Sequence, residues 1–331
     1  MPELDPVLDS RARDAREWAL AALGLGEADF APASADASFR RYFRVSEGGR
    51  SWIVMDAPPQ QERLEPFVTV ARLLHDAGLN APRVLAEDRA RGYLLLTDLG
   101  RQTFLQVLDD GNADRLMSQA IDALLRWQQA SRPGVLPPYD AALLQRELGL
   151  FPDWYVGRHL QRQLSRGQRE TLSAIERLLI DAALAQARVY VHRDYMPRNL
   201  MLSEPSPGIL DFQDAVEGPI SYDLVSLFRD AFLSWPAARV ETWMRRYHEG
   251  ARRRGLPVAD DFAAFRRDCD WMGLQRHLKV IGIFARIHYR DGKPHYLGDV
   301  PRFIRYVREV AIGYPELTPL LRLFDALGMH A

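Results

Sequence analysis

Apolar and polar positions alternate in short runs through the N-terminal third of the chain, after one amphipathic stretch at residues 9–23. That stretch has the period of a helix and is followed by Gly24, which predicts a helix that ends there. Residues 39–45 and 51–56 alternate with period two on either side of the glycine-containing turn 47–50, which predicts a β-hairpin. The N-terminal region is therefore predicted to be rich in β-strands.

The hydrophobic pattern changes from mixed helix and strand periods to a mainly helical period near residue 102. Residues 62–77 have helical period, and residues 83–86 and 92–97 form a second predicted hairpin. From about residue 102 the helical period dominates, and β-structure is predicted only between residues 189 and 211. The predicted helices of this region lie near 113–131, 140–162, 165–187, 220–233, 237–254 and 259–289.

The chain has 331 residues, of which 47% are hydrophobic, which is enough for two lobes. The pattern predicts an α+β fold, with a small antiparallel β-rich lobe at residues 1–98 and a larger, mostly helical lobe at residues 99–331. The net charge of −1 argues against nucleic acid or an anionic membrane as a partner. A small molecule is the expected partner, and a monomer is the expected state.

The single cysteine, Cys269, excludes a disulfide within the chain and a thiolate metal cluster. The first residues lack the basic and apolar regions of a secretory signal, and no apolar run approaches the roughly 18 residues of a membrane span. These features predict a cytoplasmic protein. Only two of the 43 basic residues are lysines, Lys279 and Lys293, so the N-terminal lobe has no lysine that could bind a phosphate.

Candidate chemistry is concentrated in the segment His192-Arg193-Asp194, followed by Asn199 and, after an apolar run, by Asp211. An acid five residues before an amide, then a second acid, is the donor set of Mg²⁺-dependent phosphoryl transfer. Asp194 is the candidate catalytic residue, and Asn199 and Asp211 are the candidate Mg²⁺ ligands. The alternative is a β-hairpin in which these side chains only shape turns. The order and spacing of the residues favour catalysis.

This motif resembles the aminoglycoside phosphotransferase and choline kinase superfamily, which shares the protein-kinase-like two-lobed fold. The segments DFQDAVEGPISYDLVSL at 211–227, MDAPP at 55–59 and ASFRRYFRV at 37–45 are more similar to the anomeric N-acetylmuramate/N-acetylglucosamine kinases of peptidoglycan recycling. The resemblance runs from about Asp36 to Tyr289. It implies ATP and Mg²⁺ as cofactors and phosphorylation of an amino sugar at its anomeric hydroxyl. Those kinases usually carry histidine where this chain has Met196.

Nucleotide contacts are predicted in the N-terminal lobe. Small residues between two β-runs occupy the place of a kinase glycine-rich loop, although an ordinary turn is the alternative. The residues of this predicted phosphate loop are Ser34, Ala35, Asp36, Ala37 and Ser38. Thr97 and Leu99 flank the expected hinge between the lobes and are further candidates for nucleotide binding.

Arg41 is predicted to replace the missing phosphate-binding lysine, steadied by Asp56. If Gly48 and Gly49 form a two-residue turn, paired residue numbers sum to 97 and Asp56 lies opposite Arg41. Their face of the sheet is otherwise apolar and is expected to turn toward the nucleotide, whereas Arg40 points to the other face. A purely structural ion pair is the alternative.

Two residues near the motif are predicted to support rather than perform chemistry. His192 is expected to pack as a strut, and Asp223 is expected to cap the helix that it opens while supporting the catalytic loop. Two other functions are compatible with the sequence. One is an aminoglycoside- or choline-type kinase, which would need an acidic pocket, and the other is a binding module of kinase fold without activity.

Overall fold

The computed structural model describes residues 9–34 and 39–330. The chain divides into two compact units, residues 1–102 with 201–214 and residues 103–200 with 215–331. The predicted α+β class is confirmed, because an antiparallel five-stranded sheet lies in the first unit and most of the second unit is helical. The lobe boundary predicted after residue 98 stays a prediction.

The first unit is built on its sheet, in which strands follow the order β1-β2-β3-β5-β4. The strands are β1 (Asp29–Ser34), β2 (Arg41–Glu47), β3 (Arg50–Asp56), β4 (Val84–Asp88) and β5 (Tyr93–Thr97). The unit also contains helices α1 (Ser10–Leu23) and α2 (Glu65–Asp76). Both predicted hairpins are therefore present, and α1 ends at Gly24, which has the left-handed φ of 67° that ends helices.

The register of the β2–β3 hairpin is the predicted one. Arg41 pairs with Asp56, and Glu47 pairs with Arg50 beside the two-glycine turn. Gly48 and Gly49 both have positive φ, 57° and 79°, as a tight two-residue hairpin turn requires. The turn therefore fixes which side chains share a face of the sheet.

Helix α1 packs on one face of this sheet. Its small residues Ala12, Ala15 and Ala19 are buried in one core with Phe43 and Val54. Asp9 caps the helix, since its carboxylate accepts a hydrogen bond of 2.7 Å from the Ala12 amide. The alanine stripe lets the helix lie close to the strands, so the Arg41 face is the one that α1 covers.

The segment 201–214 is held within the first unit by backbone and side-chain contacts. The Ile209 amide donates to the Asn80 carbonyl at 2.7 Å, and Phe212 packs on Phe67 with ring centres 4.8 Å apart. Gly208 leaves no room for a side chain, because a Cβ there would lie 2.7 Å from Ser203 Oγ. These contacts fix the backbone that leads into Asp211.

The second unit contains nine helices that the structure describes, together with short strands. The helices are α3 (Phe104–Val107), α4 (Ala113–Gln129), α5 (Ala141–Leu150), α6 (Arg166–Ala185), α7 (Tyr222–Phe228), α8 (Ala237–Arg253), α9 (Phe262–Asp291), α10 (Val300–Ala311) and α11 (Thr318–Ala326). Strand β6 (Arg188–Val191) pairs with β9 (Val216–Pro219) in this unit. Strand β8 (Gly208–Ile209) belongs to the segment 201–214 of the first unit and pairs with β7 (Leu200–Met201).

Two parts of the helical prediction need correction. The helix predicted near 140–162 is α5 followed by a π-helical segment, Phe151–His159. Helices α3, α10 and α11 were not predicted. Helix α9, at 30 residues the longest described, approaches α5 closely at Gly282, where a Cβ would overlap the Leu150 backbone.

Candidate active site

The catalytic motif forms a tight loop after strand β6. The Asn199 amide donates to the Met196 carbonyl at 2.8 Å, and the Asn199 side-chain Nδ2 donates to the Asp194 carbonyl at 2.9 Å. Arg193 has a left-handed backbone, with φ of 75°, which is uncommon for a residue with a side chain. Asp194 and Asn199 are thus brought together, and the loop holds one residue in a strained conformation.

Asp223 braces this loop from the second residue of α7. Its side chain is fully buried, and its carboxylate accepts the main-chain amides of His192 at 2.6 Å and Arg193 at 2.9 Å. Burial raises the pKa of Asp223 to about 7, although these two hydrogen bonds oppose the rise. Support of the loop is therefore present as predicted. The predicted cap of its own helix is wrong, because its bonds go to the loop amides.

His192 is a packed strut, as predicted. Its side chain is buried, and its Nδ1 accepts a hydrogen bond of 3.3 Å from the Asp194 amide. Its ring meets Tyr195 edge-on at 5.7 Å, and the Tyr195 hydroxyl donates to the Ala120 carbonyl at 2.8 Å. The ring thus fixes the backbone on either side of Asp194.

A buried ion cluster lies behind the loop, at Glu147 of α5. Its carboxylate pairs with Arg193 at 2.5 Å and with Lys279 of α9 at 2.8 Å. The Lys279 ammonium also donates to the Tyr222 hydroxyl at 2.9 Å, and Gln275 donates to Glu147 at 3.2 Å. Burial alone would raise the pKa of Glu147, but Lys279 and Arg193 outweigh it and lower the pKa to about 2. The cluster anchors Arg193 and with it the loop.

Sequence reasoning missed this cluster. Glu147 lies on a predicted helix with no motif around it, and its partners are 46 and 132 residues away. Lys279 carried one signal, because it is one of only two lysines in the chain. A lysine within a long apolar helix stretch indicates a buried partner, but it does not identify the partner.

Asp211, in the first unit, also has a left-handed backbone, with φ of 61°. Gln213 Nε2 donates to its Oδ1 at 2.8 Å. The guanidinium of Arg40 lies 3.9 Å from the Asp211 carboxylate and 3.5 Å from that of Glu62. The Arg40 side chain is only 11% exposed. Arg40 and Glu62 were not predicted as neighbours of Asp211.

The predicted role of Arg41 requires a correction. Its guanidinium binds Asp56 at 2.6 Å and Asp9 at 2.5 Å, and Arg11 of α1 binds Asp56 at 2.7 Å. The Arg41–Asp56 pair is thus present as predicted. The expectation that their face turns to the nucleotide is wrong, because α1 packs on that face. The geometry supports the structural alternative, in which the pair joins α1 to the sheet.

The other predicted nucleotide contacts lie at the ends of strands or outside the described residues. Ser34 ends β1, and residues 35–38 of the predicted phosphate loop are not among the described residues. Thr97 ends β5, where its hydroxyl accepts from the Arg83 amide at 2.9 Å. Leu99 packs near Gly208, since a Cβ on that glycine would lie 2.9 Å from Leu99 Cδ1. Their contact with a nucleotide stays a prediction.

The donor chemistry of two predicted ligands suits Mg²⁺. Because Asn199 Nδ2 is bonded to the Asp194 carbonyl, the amide presents its oxygen, the atom that a hard cation binds. Asp211 presents a carboxylate on a strained backbone. Within residues 9–34 and 39–330, no group of three or more His, Cys, Asp or Glu side chains could hold a metal. A kinase-type ion needs fewer protein ligands, since phosphate and water oxygens complete its shell.

These features define a phosphotransferase, and comparison with known proteins confirms it. The chain belongs to the phosphotransferase enzyme family, which it matches over residues 29–261. It is 57% identical to the N-acetylmuramate/N-acetylglucosamine kinase of Pseudomonas aeruginosa, over 93% of this chain and 92% of that protein. It is 48% identical to the protein of the same name from Neisseria meningitidis serogroup B, over 90% of each.

Solved structures confirm the fold. A choline kinase from Streptococcus pneumoniae is similar with a TM-score of 0.64 and 14% identity, covering 92% of this chain and 100% of that one. An ADP-bound aminoglycoside phosphotransferase is similar with a TM-score of 0.60 and 14% identity, covering 92% and 99%. The predicted protein-kinase-like fold is therefore confirmed. No helix in the described part of the chain is long and apolar enough to cross a membrane.

Proposed function

We propose that this protein is an ATP- and Mg²⁺-dependent sugar kinase, which phosphorylates the anomeric hydroxyl of N-acetylmuramate or N-acetylglucosamine. Its role would be cell-wall recycling in the cytoplasm, as a monomer. The identity of 57% to a kinase of that name, over nine-tenths of both chains, supports the substrate. The observation that carries the chemistry is the catalytic loop, in which buried Asp223 holds the two amides that precede Asp194.

In the proposed mechanism, Asp194 aligns the acceptor hydroxyl and takes its proton late in a loose transition state. The His192 ring and the Asp223 carboxylate hold the backbone around Asp194, so the carboxylate needs little reorganisation when the acceptor binds. Asn199 and Asp211 are each proposed as a Mg²⁺ ligand. Bound Mg²⁺ would neutralise charge on the transferred phosphoryl group.

The acceptor is proposed to be a neutral or anionic amino sugar rather than a polycation. Two cations, Arg193 and Lys279, lie against one carboxylate behind the catalytic loop. Arginine also outnumbers acidic residues on helix α9. An acceptor with several ammonium groups would be repelled by such surroundings, whereas the lactyl carboxylate of N-acetylmuramate would find an arginine partner.

The substrate is tested with a panel of sugars, aminoglycosides and choline in the presence of Mg-ATP, with the position of the new phosphate read by phosphorus NMR. The proposal expects 1-phosphates of one or both amino sugars. Turnover of aminoglycosides or choline without sugar turnover would assign the protein to the rival kinase class. Absence of turnover with every acceptor would favour the binding module.

Asp194→Asn tests the base. The amide keeps the shape of the side chain but cannot accept a proton, so kcat is expected to fall by about 10²–10⁴. Nucleotide affinity, measured by titration calorimetry, is expected to stay near the wild-type value. Asp181→Asn, at an exposed position on α6, is the matched control and should retain full activity. Near-normal kcat in Asp194→Asn would remove this residue from the chemistry.

A further inference from the structure

The side chains of two adjacent arginines, Arg40 and Arg41, point in opposite directions in the first unit. Arg41 lies on the face covered by α1, where Asp9 and Asp56 bind it. Arg40 precedes β2 and lies instead beside Glu62 and Asp211. Because successive side chains of a strand alternate between faces, the register that places Arg41 under α1 directs Arg40 away from it.

We propose that Arg40 binds the polyphosphate of the nucleotide, in the place of the lysine that the first unit lacks. The proposal rests on the proposed function and adds a residue to it. Glu62 and Asp211 would hold the guanidinium in position before the nucleotide binds. Arginine binds phosphate oxygens as a planar fork, with several donors on one side chain.

Burial is the first argument. The Arg40 side chain is 11% exposed, and its partners Glu62 and Asp211 are 19% and 32% exposed. Removing such charges from water is costly unless a compensating interaction is gained. The two carboxylates carry more negative charge than the one guanidinium neutralises. A Mg²⁺ ion that binds nearby together with the nucleotide would compensate the remaining charge. Asp211, itself a proposed Mg²⁺ ligand, places Arg40 next to the phosphates that the ion would bring.

The distances supply the second argument. Arg40 stands 3.5 and 3.9 Å from its two carboxylates, which is too far for a forked pair with either. The neighbouring arginines are held differently. Arg44 binds Asp98 through two nitrogens at 2.5 and 3.1 Å and also donates to the Gly100 carbonyl at 2.6 Å. Arg40 thus faces its two carboxylates at a longer distance, whereas Arg41 and Arg44 form short hydrogen bonds with theirs.

The experiment measures phosphate recognition apart from catalysis. Titration calorimetry with Mg-ADP, Mg-ATP and adenosine compares the wild type with Arg40→Ala, and Arg41→Ala is the matched control one residue away. Arg40→Ala is expected to weaken Mg-ADP and Mg-ATP binding by about tenfold or more, as for a lost charged hydrogen bond, and to leave adenosine binding unchanged. Arg41→Ala should change all three affinities by less than about twofold. Arg40→Lys should recover part of the loss, because it restores the charge without the fork.

Two results would overturn the proposal. One is unchanged Mg-ADP affinity in Arg40→Ala. The other is an equal loss for adenosine and Mg-ADP, since that would indicate a structural defect rather than a lost phosphate contact. If Arg40→Ala does not fold, Arg40→Gln keeps most of the side chain and replaces it in the same comparison. Nucleotide binding is measured without an acceptor, so failure of sugar turnover in the wild type would refute the proposed function and leave this test intact.

Discussion

In each unit of the molecule, a buried carboxylate lies between two cations, and the two clusters stabilise different parts of the structure. In the first unit, Asp56 is fully buried and binds Arg11 and Arg41, whose side chains are 31% and 37% exposed. In the second unit, Glu147 binds Arg193 and Lys279, whose side chains are only 20% and 10% exposed. The Asp56 cations reach water on one side, whereas the Glu147 cations are largely withdrawn from it.

The difference lies in what the cations are attached to. Arg11 belongs to α1 and Arg41 to β2, so the Asp56 cluster joins a helix to the sheet. Arg193 is the residue before Asp194, so the Glu147 cluster anchors the loop that carries the proposed base. A buried ion pair therefore says little about function by itself. The backbone that its members belong to decides whether the pair stabilises the fold or positions chemistry.

The largest expected effect comes from Glu147→Ala. This substitution leaves Arg193 and Lys279 buried without their counter-charge, so the free energy of unfolding should fall by about 3–5 kcal/mol. The loop would also lose its anchor, and kcat should fall by up to about 10²-fold, as for a misplaced catalytic group. Urea unfolding followed by tryptophan fluorescence, with kcat on the folded fraction, measures both. Wild-type kcat in a stably folded Glu147→Ala would refute the positioning role.

The dependence of stability on pH tests the Glu147 cluster directly. The pKa of Glu147 is about 2 in the folded protein and 4.5 ordinarily, so in this range the unfolded chain binds the proton more readily. Stability from this group is complete above pH 4.5 and is lost as the pH falls toward 2. The total is roughly 3 kcal/mol for a shift of this size.

Urea unfolding between pH 5 and pH 3 measures that loss. Glu147→Gln should have a shallower dependence of stability on pH than the wild type, because it cannot take up this proton. Glu170→Gln, at an exposed carboxylate of α6, is the control and should keep the wild-type slope. Identical slopes in all three proteins would show that the Glu147 pairs do not depress its pKa.

A smaller effect is expected from Asp56→Asn. The amide still accepts hydrogen bonds, and Arg11 and Arg41 can turn to water, so the loss of unfolding free energy should be roughly 1–3 kcal/mol. The kcat and the KM for ATP should stay at wild-type values, since α1 and not the loop is affected. A loss of kcat as large as that of Glu147→Ala would contradict the conclusion that the Asp56 cluster does not affect the catalytic loop.

Sequence alone predicted most of what depends on local rules. The two-glycine turn fixed the pairing of Arg41 with Asp56. The spacing of Asp194, Asn199 and Asp211 predicted a phosphotransferase, the class that the family match shows. Alternation also separated Arg40 from Arg41 correctly. It could not say which face α1 would cover, because an amphipathic helix can pack on either side of a sheet. The wrong choice of face assigned the phosphate role to Arg41.

Contacts between residues that are far apart in the sequence could not be predicted from these local patterns. Lys279 meets Glu147 across 132 residues, and no period or motif links the two helices that carry them. Arg40 meets Asp211 through the segment 201–214, whose place in the first unit is set by contacts such as those of Asn80 with Ile209. Pairings of this kind depend on tertiary packing, which one sequence does not encode in a readable local pattern.

The absence of a side chain at Gly282 sets the tolerance of the proposed catalytic machinery to change. Glu147 lies about one turn before Leu150 on α5, and Lys279 lies about one turn before Gly282 on α9, where a Cβ would overlap the Leu150 backbone. The Glu147–Lys279 ion pair therefore joins the two helices close to the position where they lie in contact at Gly282. Any side chain added at Gly282 would lengthen this ion pair and be felt at Arg193 through Glu147. A position without any functional group is therefore among the least replaceable in the unit.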